Sequence, residues 1–392
     1  MKKRILALVI CLIMIATMLI ACGDDYYDMA KDYIGNNKLK PAKPNVTLNM
    51  YIPCNGEIDA ITLSSMQAEF NYVTETKYQT RVVFHMIPVA EYQQAVRDQA
   101  SFAAQHIEDE LDKTPASIND KYPKENDIQF DIFVSLGKSM LDGMISSGLI
   151  SDLTTEMTKT YNQKLFNLND KTSVSDIIYT SATWSDSDDN PIYYGVPSNY
   201  LIGQYTYYLI DKEKADVHYF SIPSEKKGVE ACVTELLTNI DKNDTISDKT
   251  AYKNEAVQTF TGDYHARYEV DTEKYYVYVK STPTVDTTRL YEGMFCIANT
   301  CRYKDRAMQV VAELYTNVAL HTTLQYGVKN LTYRLVEKDG MTLVELIDGA
   351  PAYSINPKYT GNIAKLYICP EAGYELTFIE DLYIQNKEAI LP

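Results

Sequence analysis

The sequence lacks the short motifs that mark the common catalytic sites. It has no Gly-x-Ser-x-Gly elbow, no His-Glu-x-x-His pair and no phosphate-binding loop, and no two glycines stand one residue apart, which excludes Gly-x-Gly-x-x-Gly. The five histidines are scattered, without the spacing of metal ligands. Residues 186–190 begin like a calcium loop, but Pro191 replaces the required glycine and Pro197 the required glutamate. The sequence therefore predicts no metal ion and no cofactor.

Basic residues are outnumbered by acidic ones. The chain has 37 lysines and arginines against 53 aspartates and glutamates, a formal net charge of −16. This excess argues against a nucleic-acid partner and against docking on an anionic membrane through a basic patch. The many carboxylates leave a secreted glycoside hydrolase open as a minor alternative, because its two catalytic carboxylates need only meet in space.

Cysteines are few and do not form a disulfide framework. Beyond the first 22 residues there are five, an odd number with no Cys-x-x-Cys pair. Cys296 and Cys301 are the one close pair, and a bridge between them is the minor interpretation. Cys232 falls on the apolar face of a predicted helix, so we expect it to be a small buried hydrophobic residue.

The first 22 residues indicate export. Three basic residues precede an apolar run over residues 5–20, and small Ala21 stands before Cys22, which is the pattern of a secretory signal peptide. Sixteen helical residues reach about 24 Å, short of the ~30 Å hydrocarbon core, which argues against a permanent span. The ending Leu-x-Ala-Cys resembles the lipobox of bacterial lipoproteins and implies that Cys22 is lipidated; an ordinary export signal is the alternative.

The same residues predict where the protein is located. Residues 1–21 would be the signal peptide and residues 22–44 the lipidated cysteine with a polar tether. We expect the body to be held by its lipid at the outer face of the cytoplasmic membrane, outside the cell, in a Gram-positive-like bacterium.

Strands and helices alternate in the first third of the body. Apolar patterns predict strands over residues 46–52, 81–86 and 130–134, separated by helices over residues 58–73 and 89–111 and followed by one that ends near residue 147. Three strand–helix units in a row are typical of a parallel sheet with covering helices.

From residue 151 onward, predicted strands and helices no longer alternate regularly. We predict helices over residues 177–184, 224–240 and 304–316, strands over residues 192–196, 205–210, 275–279 and 293–297, and a hairpin at Asp339-Gly340. Trp184, the only tryptophan, stands at the end of a predicted helix, where packing is favoured over a role as a stacking platform. Tyr194 stands in a predicted strand, where core packing is favoured.

Five stretches carry a family resemblance, and their order and spacing matter more than any one of them. Residues 46–368 resemble bacterial extracellular solute-binding lipoproteins, the sugar-type receptors of ABC transporters, in a clostridial-like branch. The stretches are residues 130–154, 190–213, 293–317, 324–335 and 356–362. Members of that branch usually continue well beyond the last stretch, so the resemblance also implies a shortened second lobe.

The resemblance implies a fold and a mode of action. The fold is an α/β, two-lobed periplasmic-binding-protein-like fold of type 2, with lobes joined by crossing strands and a hinge that closes over solute. The first lobe would hold residues 45–153 plus about 290–335, and the second residues 154–289 plus about 336–392. Such a protein is no enzyme: its partners are a small-molecule solute, here a mono- or oligosaccharide, and ABC permease subunits. A surface lipoprotein that uses the same fold in sensing or adhesion is the alternative.

Candidate ligand-binding residues follow from where strands end, because ligands of open α/β sheets bind beyond the carboxyl ends of the strands. Asn55 and Glu57 follow the first strand, although a plain turn explains them equally well. Ser135 and Gly137 follow the third. The resemblance adds two further sets, one after the Val-Pro turn and one before the return strand near the expected hinge: Ser198, Asn199, Tyr200, Tyr291 and Glu292.

Overall fold

The structure, a computed structural model, describes residues 44–111, 129–167, 169–351 and 353–392. Cys22, the predicted signal peptide and the predicted tether up to residue 43 lie outside these residues. Within the described ranges, no helix combines the length and the apolar character that a membrane crossing requires.

The strands are numbered here in chain order. They are β1 Val46–Cys54, β2 Thr80–Pro88, β3 Ile132–Leu136, β4 Trp184–Ser185, β5 Pro191–Ile192, β6 Gln204–Asp211, β7 Val257–Gly262, β8 Tyr275–Thr284, β9 Glu292–Ile297, β10 Tyr333–Lys338 and β11 Met341–Leu346.

The α-helices are numbered in the same way. They are α1 Ala60–Tyr78, α2 Val89–Leu111, α3 Lys138–Ser146, α4 Asn162–Leu165, α5 Asp176–Ser181, α6 Lys212–Val217, α7 Val229–Lys242, α8 Lys249–Ala256, α9 Lys304–Thr316, α10 Val318–Tyr326 and α11 Phe378–Glu388.

The first sheet has the strand order β2-β1-β3-β9. The first three strands are parallel, and β9 runs antiparallel to β3. Eight of the nine residues of β1 are buried, a pattern typical of a strand covered on both faces. The predicted parallel sheet with covering helices is therefore confirmed for the first three strands.

A second sheet, β7-β6-β8, is antiparallel throughout. Helix α7 buries one apolar stripe against it, including Cys232 and Leu236, beside Tyr208 and Ile210 of β6. The prediction that Cys232 is a small buried hydrophobic residue is confirmed, since none of its surface is exposed. All five cysteines of the described part are buried free thiols.

A third apolar cluster joins the hairpin β10–β11 to the C-terminal segment. Tyr333 and Val344 of the hairpin pack with Ile363, Phe378 and Leu382. The core of the first sheet also takes in side chains between residues 157 and 202, which are predicted to lie in the second lobe. The lobe bounds themselves stay a prediction.

Three local predictions are wrong. Helix α5 ends at Ser181, so Trp184 does not end a helix but begins β4, which pairs with β5 across the acidic turn of residues 186–190. Tyr194 lies in a bend and is half-buried rather than in a core strand. Helix α7 begins at Val229, because Ser224 and Lys227 close a turn through two backbone hydrogen bonds.

Gly293 offers a test of the packing at the start of β9. Its φ is +75°, and an added Cβ would lie 1.8 Å from the carbonyl oxygen of Lys358. Gly349 has a similar φ of +71° with nothing within 4 Å of such a Cβ, so it is a matched control. We expect Gly349→Ala to cost about 1–2 kcal/mol for its left-handed backbone, and Gly293→Ala about 1–3 kcal/mol more through overpacking. Urea unfolding measures both, and equal losses would contradict the close approach.

Candidate functional site

The candidate site lies at the carboxyl ends of the parallel strands of the first sheet. Because β9 is antiparallel, its first residue reaches the same edge, where Glu292 pairs with Leu136 of β3. A segment over residues 354–358 crosses this edge. At one end the backbone N–H of Asn55 donates to the carbonyl of Ser354 at 3.0 Å, and the Asn55 amide donates to the Ser354 hydroxyl at 3.1 Å.

At its other end the segment meets Glu292. The Lys358 ammonium donates to Glu292 Oε2 at 2.6 Å, and both side chains keep about a quarter of their surface exposed, 25% and 29%. Burial by itself lowers the pKa of Lys358, but the hydrogen bond to Glu292 and the neighbouring Tyr359 outweigh it, so the pKa is raised. A Cβ on Gly137 would lie 3.8 Å from Glu292 Cγ, so the turn after β3 borders the same carboxylate.

Tyr200 lies at the start of a different packing environment. It is half-buried and packs against the C-terminal apolar cluster that holds Tyr333, Phe378 and Leu382. Burial is the main cause that raises the pKa of Tyr200.

Aromatic rings adjoin the charged group. The Trp184 ring meets Tyr291 edge-on at 4.9 Å between centroids and Tyr194 at 5.4 Å. Tyr291 is buried beneath, with its hydroxyl donating to the carbonyl of Thr183 at 3.2 Å. Trp184 and Tyr194 are half-buried and pack against the core of the first sheet. Trp184 therefore has packing contacts and remains partly exposed to solvent.

Two charged side chains of α3 orient the tryptophan. The indole N–H donates to Asp142 Oδ1 at 2.9 Å, and the Lys138 ammonium donates to the same carboxylate at 2.8 and 2.9 Å. That ammonium also lies 5.5 Å from the ring centroids of Trp184 and Tyr291. The hydrogen bond from Lys138 is the first reason that the pKa of Asp142 lies below its ordinary value, and the bond from Trp184 adds to it.

This arrangement is suited to binding a polyhydroxylated molecule. Exposed aromatic surface accepts the apolar face of a sugar ring, and carboxylates, amides and ammonium groups beside it exchange hydrogen bonds with hydroxyls. Among the described residues, no group of three or more histidine, cysteine, aspartate or glutamate side chains is placed to hold a metal ion.

The structure brings three predicted residues together, and others lie behind them or beside them. Gly137, Tyr291 and Glu292 border one site, and Asn55 and Glu57 are exposed farther along the same edge. Tyr200 packs instead against the C-terminal apolar cluster. Ser135 is fully buried, and its hydroxyl donates to the carbonyl of Tyr291.

Ser198 and Asn199 are buried and form hydrogen bonds to a neighbouring loop. The Ser198 hydroxyl donates to the carbonyl of Gly361 at 2.8 Å. The Asn199 amide donates to Ser173 O at 3.1 Å and to Asn362 Oδ1 at 2.9 Å. These bonds hold the segment that carries Lys358, and they engage both side chains within the protein.

Sequence reasoning missed three charged residues of the site: Lys138, Asp142 and Lys358. Lys138 directly follows Gly137, so the rule about strand ends extends to it. Asp142 lies one helical turn beyond Lys138, which is the spacing of an i,i+4 ion pair. No sequence signal connects Lys358 with Glu292.

No protein-family model matches the chain, and no curated protein matches it. Solved structures do. The N-glycan transport solute binding protein NgtS from Streptococcus pneumoniae is similar with a TM-score of 0.53 at 14% identity, covering 89% of this chain and 84% of that one. Its complex with Man1GlcNAc has a TM-score of 0.51 at 15% identity, covering 88% and 84%.

The same protein in complex with Man5GlcNAc has a TM-score of 0.51 at 14% identity, covering 88% of this chain and 83% of that one. Identity at this level speaks to the fold alone. The chain has the two-lobed α/β fold of solute-binding proteins.

Proposed function

We propose that this protein is an extracellular solute-binding protein that captures a carbohydrate at the strand-end site and delivers it to an ABC importer. The observation that carries the proposal is the half-buried Trp184 ring, held by Asp142 and Lys138 at the carboxyl edge of the first sheet. The similar structures include NgtS in complex with Man1GlcNAc and with Man5GlcNAc, which supports an oligosaccharide.

The chemistry of capture follows from the side chains. Trp184 and Tyr194 offer apolar ring surface to the C–H face of a sugar. Glu292, Lys358, Asn55 and Glu57 supply acceptors and donors at the exposed edge, and a hydroxyl can satisfy both kinds at once. Ser135, Ser198, Asn199 and Tyr291 act as positioning residues, because their polar atoms already bond within the protein.

Capture is coupled to closure. Solute favours a closed arrangement of the two lobes only to the extent that it binds that form more tightly than the open one. Micromolar affinity corresponds to about −8 kcal/mol, which a few rings and charged hydrogen bonds supply. Lipid on Cys22 would keep the loaded receptor near its membrane partner, so that captured solute is not lost to diffusion.

Tryptophan fluorescence tests capture directly, since Trp184 is the only tryptophan. We expect a saturable change in emission when Man1GlcNAc or Man5GlcNAc is added to the chain from residue 22 onward. In calorimetry, Trp184→Ala should weaken binding about tenfold, because ring contacts contribute about 1 kcal/mol or more.

Phe102→Ala is the control for that variant: Phe102 is an exposed ring on α2, 38% accessible, outside the site. Unchanged affinity in Trp184→Ala, or equal losses in both variants, would exclude Trp184 as a ligand contact.

The Glu292–Lys358 pair gives a second test. Glu292→Gln keeps the shape and removes the charge, so we expect an affinity about tenfold lower, since a hydrogen bond to a charged group contributes about 1.5–3 kcal/mol. Its effect on unfolding should be small, because both partners are partly exposed.

Glu345→Gln serves as the matched control, since Glu345 forms an ion pair with Arg334 on the hairpin β10–β11. Calorimetric titration with the same oligosaccharides compares the two. A loss of affinity in the hairpin variant as large as in Glu292→Gln would point to a global effect.

Binding should be insensitive to pH across the neutral range. The pKa of Asp142 is lowered, so its charge is present above the ordinary value of about 3.9 and is lost only as pH falls through its lower folded pKa. The pKa of Lys358 is raised, so its charge is lost only as pH rises through a value above about 10.4. We expect constant affinity between about pH 5 and about pH 9; a midpoint near neutrality would implicate a histidine instead.

A further inference from the structure

We propose that a cavity of about 290 Å³ between residues 169–177 and helix α11 is a second binding site, which takes a single sugar ring or a similar neutral polyol. It is distinct from the strand-end site and would operate whether or not that site takes an oligosaccharide.

Asn199 connects the two sites. It lines the cavity, and its amide donates to Ser173 O, also in the cavity wall, at 3.1 Å. The same amide donates to Asn362 Oδ1 at 2.9 Å, on the segment that carries Lys358. The other residues that line the cavity are not among those of the strand-end site.

The walls of the cavity are held in place without a ligand. On the α11 side, Asn386 accepts from the N–H of Ile202 at 3.2 Å and donates to the carbonyl of Tyr200 at 3.0 Å. On the opposite side, Lys171 forms an ion pair with Glu380 of α11 at 2.6 Å. The Lys171–Glu380 pair connects the loop of residues 169–177 to the helix, and the two Asn386 bonds connect the helix to residues 200–202.

Three polar groups in the wall are left without such engagement. The Ser175 hydroxyl oxygen is buried and has no hydrogen-bond partner among the described residues. A buried hydroxyl without a partner costs about 1–3 kcal/mol, so a ligand that bonds to it recovers that free energy. Asp176 and Lys387 also line the cavity, and neither side chain forms an ion pair with another described residue, although the Lys387 ammonium lies 5.6 Å from the centroid of the Tyr383 ring.

These groups select the chemistry of the ligand. Lys387 can only donate, Asp176 can only accept and Ser175 can do both, so a ring with several hydroxyls satisfies all three. The four charged residues in the wall, Asp170, Asp176, Lys171 and Lys387, cancel in formal charge, which favours a neutral molecule over an ion.

The volume of the cavity and its apolar wall fit a single sugar ring. Val174, Ile177 and Leu382 add apolar wall against which a ring face can pack. Ligand cavities usually begin at about 300 Å³, so this one is at the small end and suits a monosaccharide rather than an oligosaccharide.

The test uses the chain from residue 22 onward with Trp184→Ala to weaken the strand-end site. Glucose, galactose, mannose and N-acetylglucosamine are titrated one at a time by calorimetry, with ligand-observed NMR for weak binding. We expect at least one sugar to bind. Adding Ser175→Leu fills the cavity and should abolish that binding, and adding Lys387→Gln should weaken it about tenfold.

Ser247→Leu is the control, because Ser247 is an exposed serine outside the cavity. If Ser175→Leu does not fold, Lys387→Gln decides, because Lys387 is exposed and its loss should leave the fold intact.

Two outcomes would overturn the proposal: no sugar binds, or binding is unaffected by Ser175→Leu and Lys387→Gln. Binding of glycine or acetate in place of every sugar would overturn the assignment of a neutral polyol. The fluorescence of Trp184 in the unsubstituted protein reports the strand-end site, so failure of either site is seen separately.

Discussion

The antiparallel return of β9 along β3 is the constraint on which the site depends. The three parallel strands are built from consecutive strand–helix units, and all end at one edge of the sheet. A fourth parallel strand would have ended there too and started at the far edge. Because β9 runs the other way, its beginning meets the end of β3, where Glu292 pairs with Leu136. The buried Ser135 hydroxyl bonds to Tyr291 and fixes that junction.

A glycine at the second position of β9 then admits the crossing segment. With φ at +75° and no Cβ, Gly293 lets the carbonyl of Lys358 approach closer than any side chain would allow. Ser198 hydrogen-bonds to Gly361, and Asn199 to Asn362, farther along that segment. Side chains behind the candidate site therefore determine where Lys358 lies.

Charge is balanced locally although the whole chain is acidic. The formal net charge is −16, yet Lys138 lies against Asp142, Lys358 against Glu292, and Arg289 within 3.8 Å of Asp286. A site in which each cation has a carboxylate beside it attracts neither anions nor cations strongly. It presents many directed donors and acceptors instead, which is the complement of a neutral, hydroxyl-rich molecule. The same balance recurs in the cavity beside α11.

The sequence by itself determined the elements whose apolar residues repeat locally. The strand–helix alternation of the first sheet, the stripe of α7 and burial of Cys232 follow from such periods. The ends of the strands pointed to Asn55, Glu57, Ser135 and Gly137, of which Ser135 is fully buried. Helix α8, strand β7 and helix α11 were missed, and α8 shows why: half of its eight residues are charged or amide side chains, and Ala256 alone is buried.

Only the tertiary structure decided which side chains meet. Family resemblance located the loop of Ser198, Asn199 and Tyr200, but hydrogen bonds to Gly361 and Asn362 turn the first two inward, and Tyr200 packs against the C-terminal apolar cluster. Trp184 became part of the site because the turn after it pairs β4 with β5. Contacts between residues far apart in the chain produce no periodic pattern of apolar residues in the sequence. They depend on how whole helices and strands pack against one another.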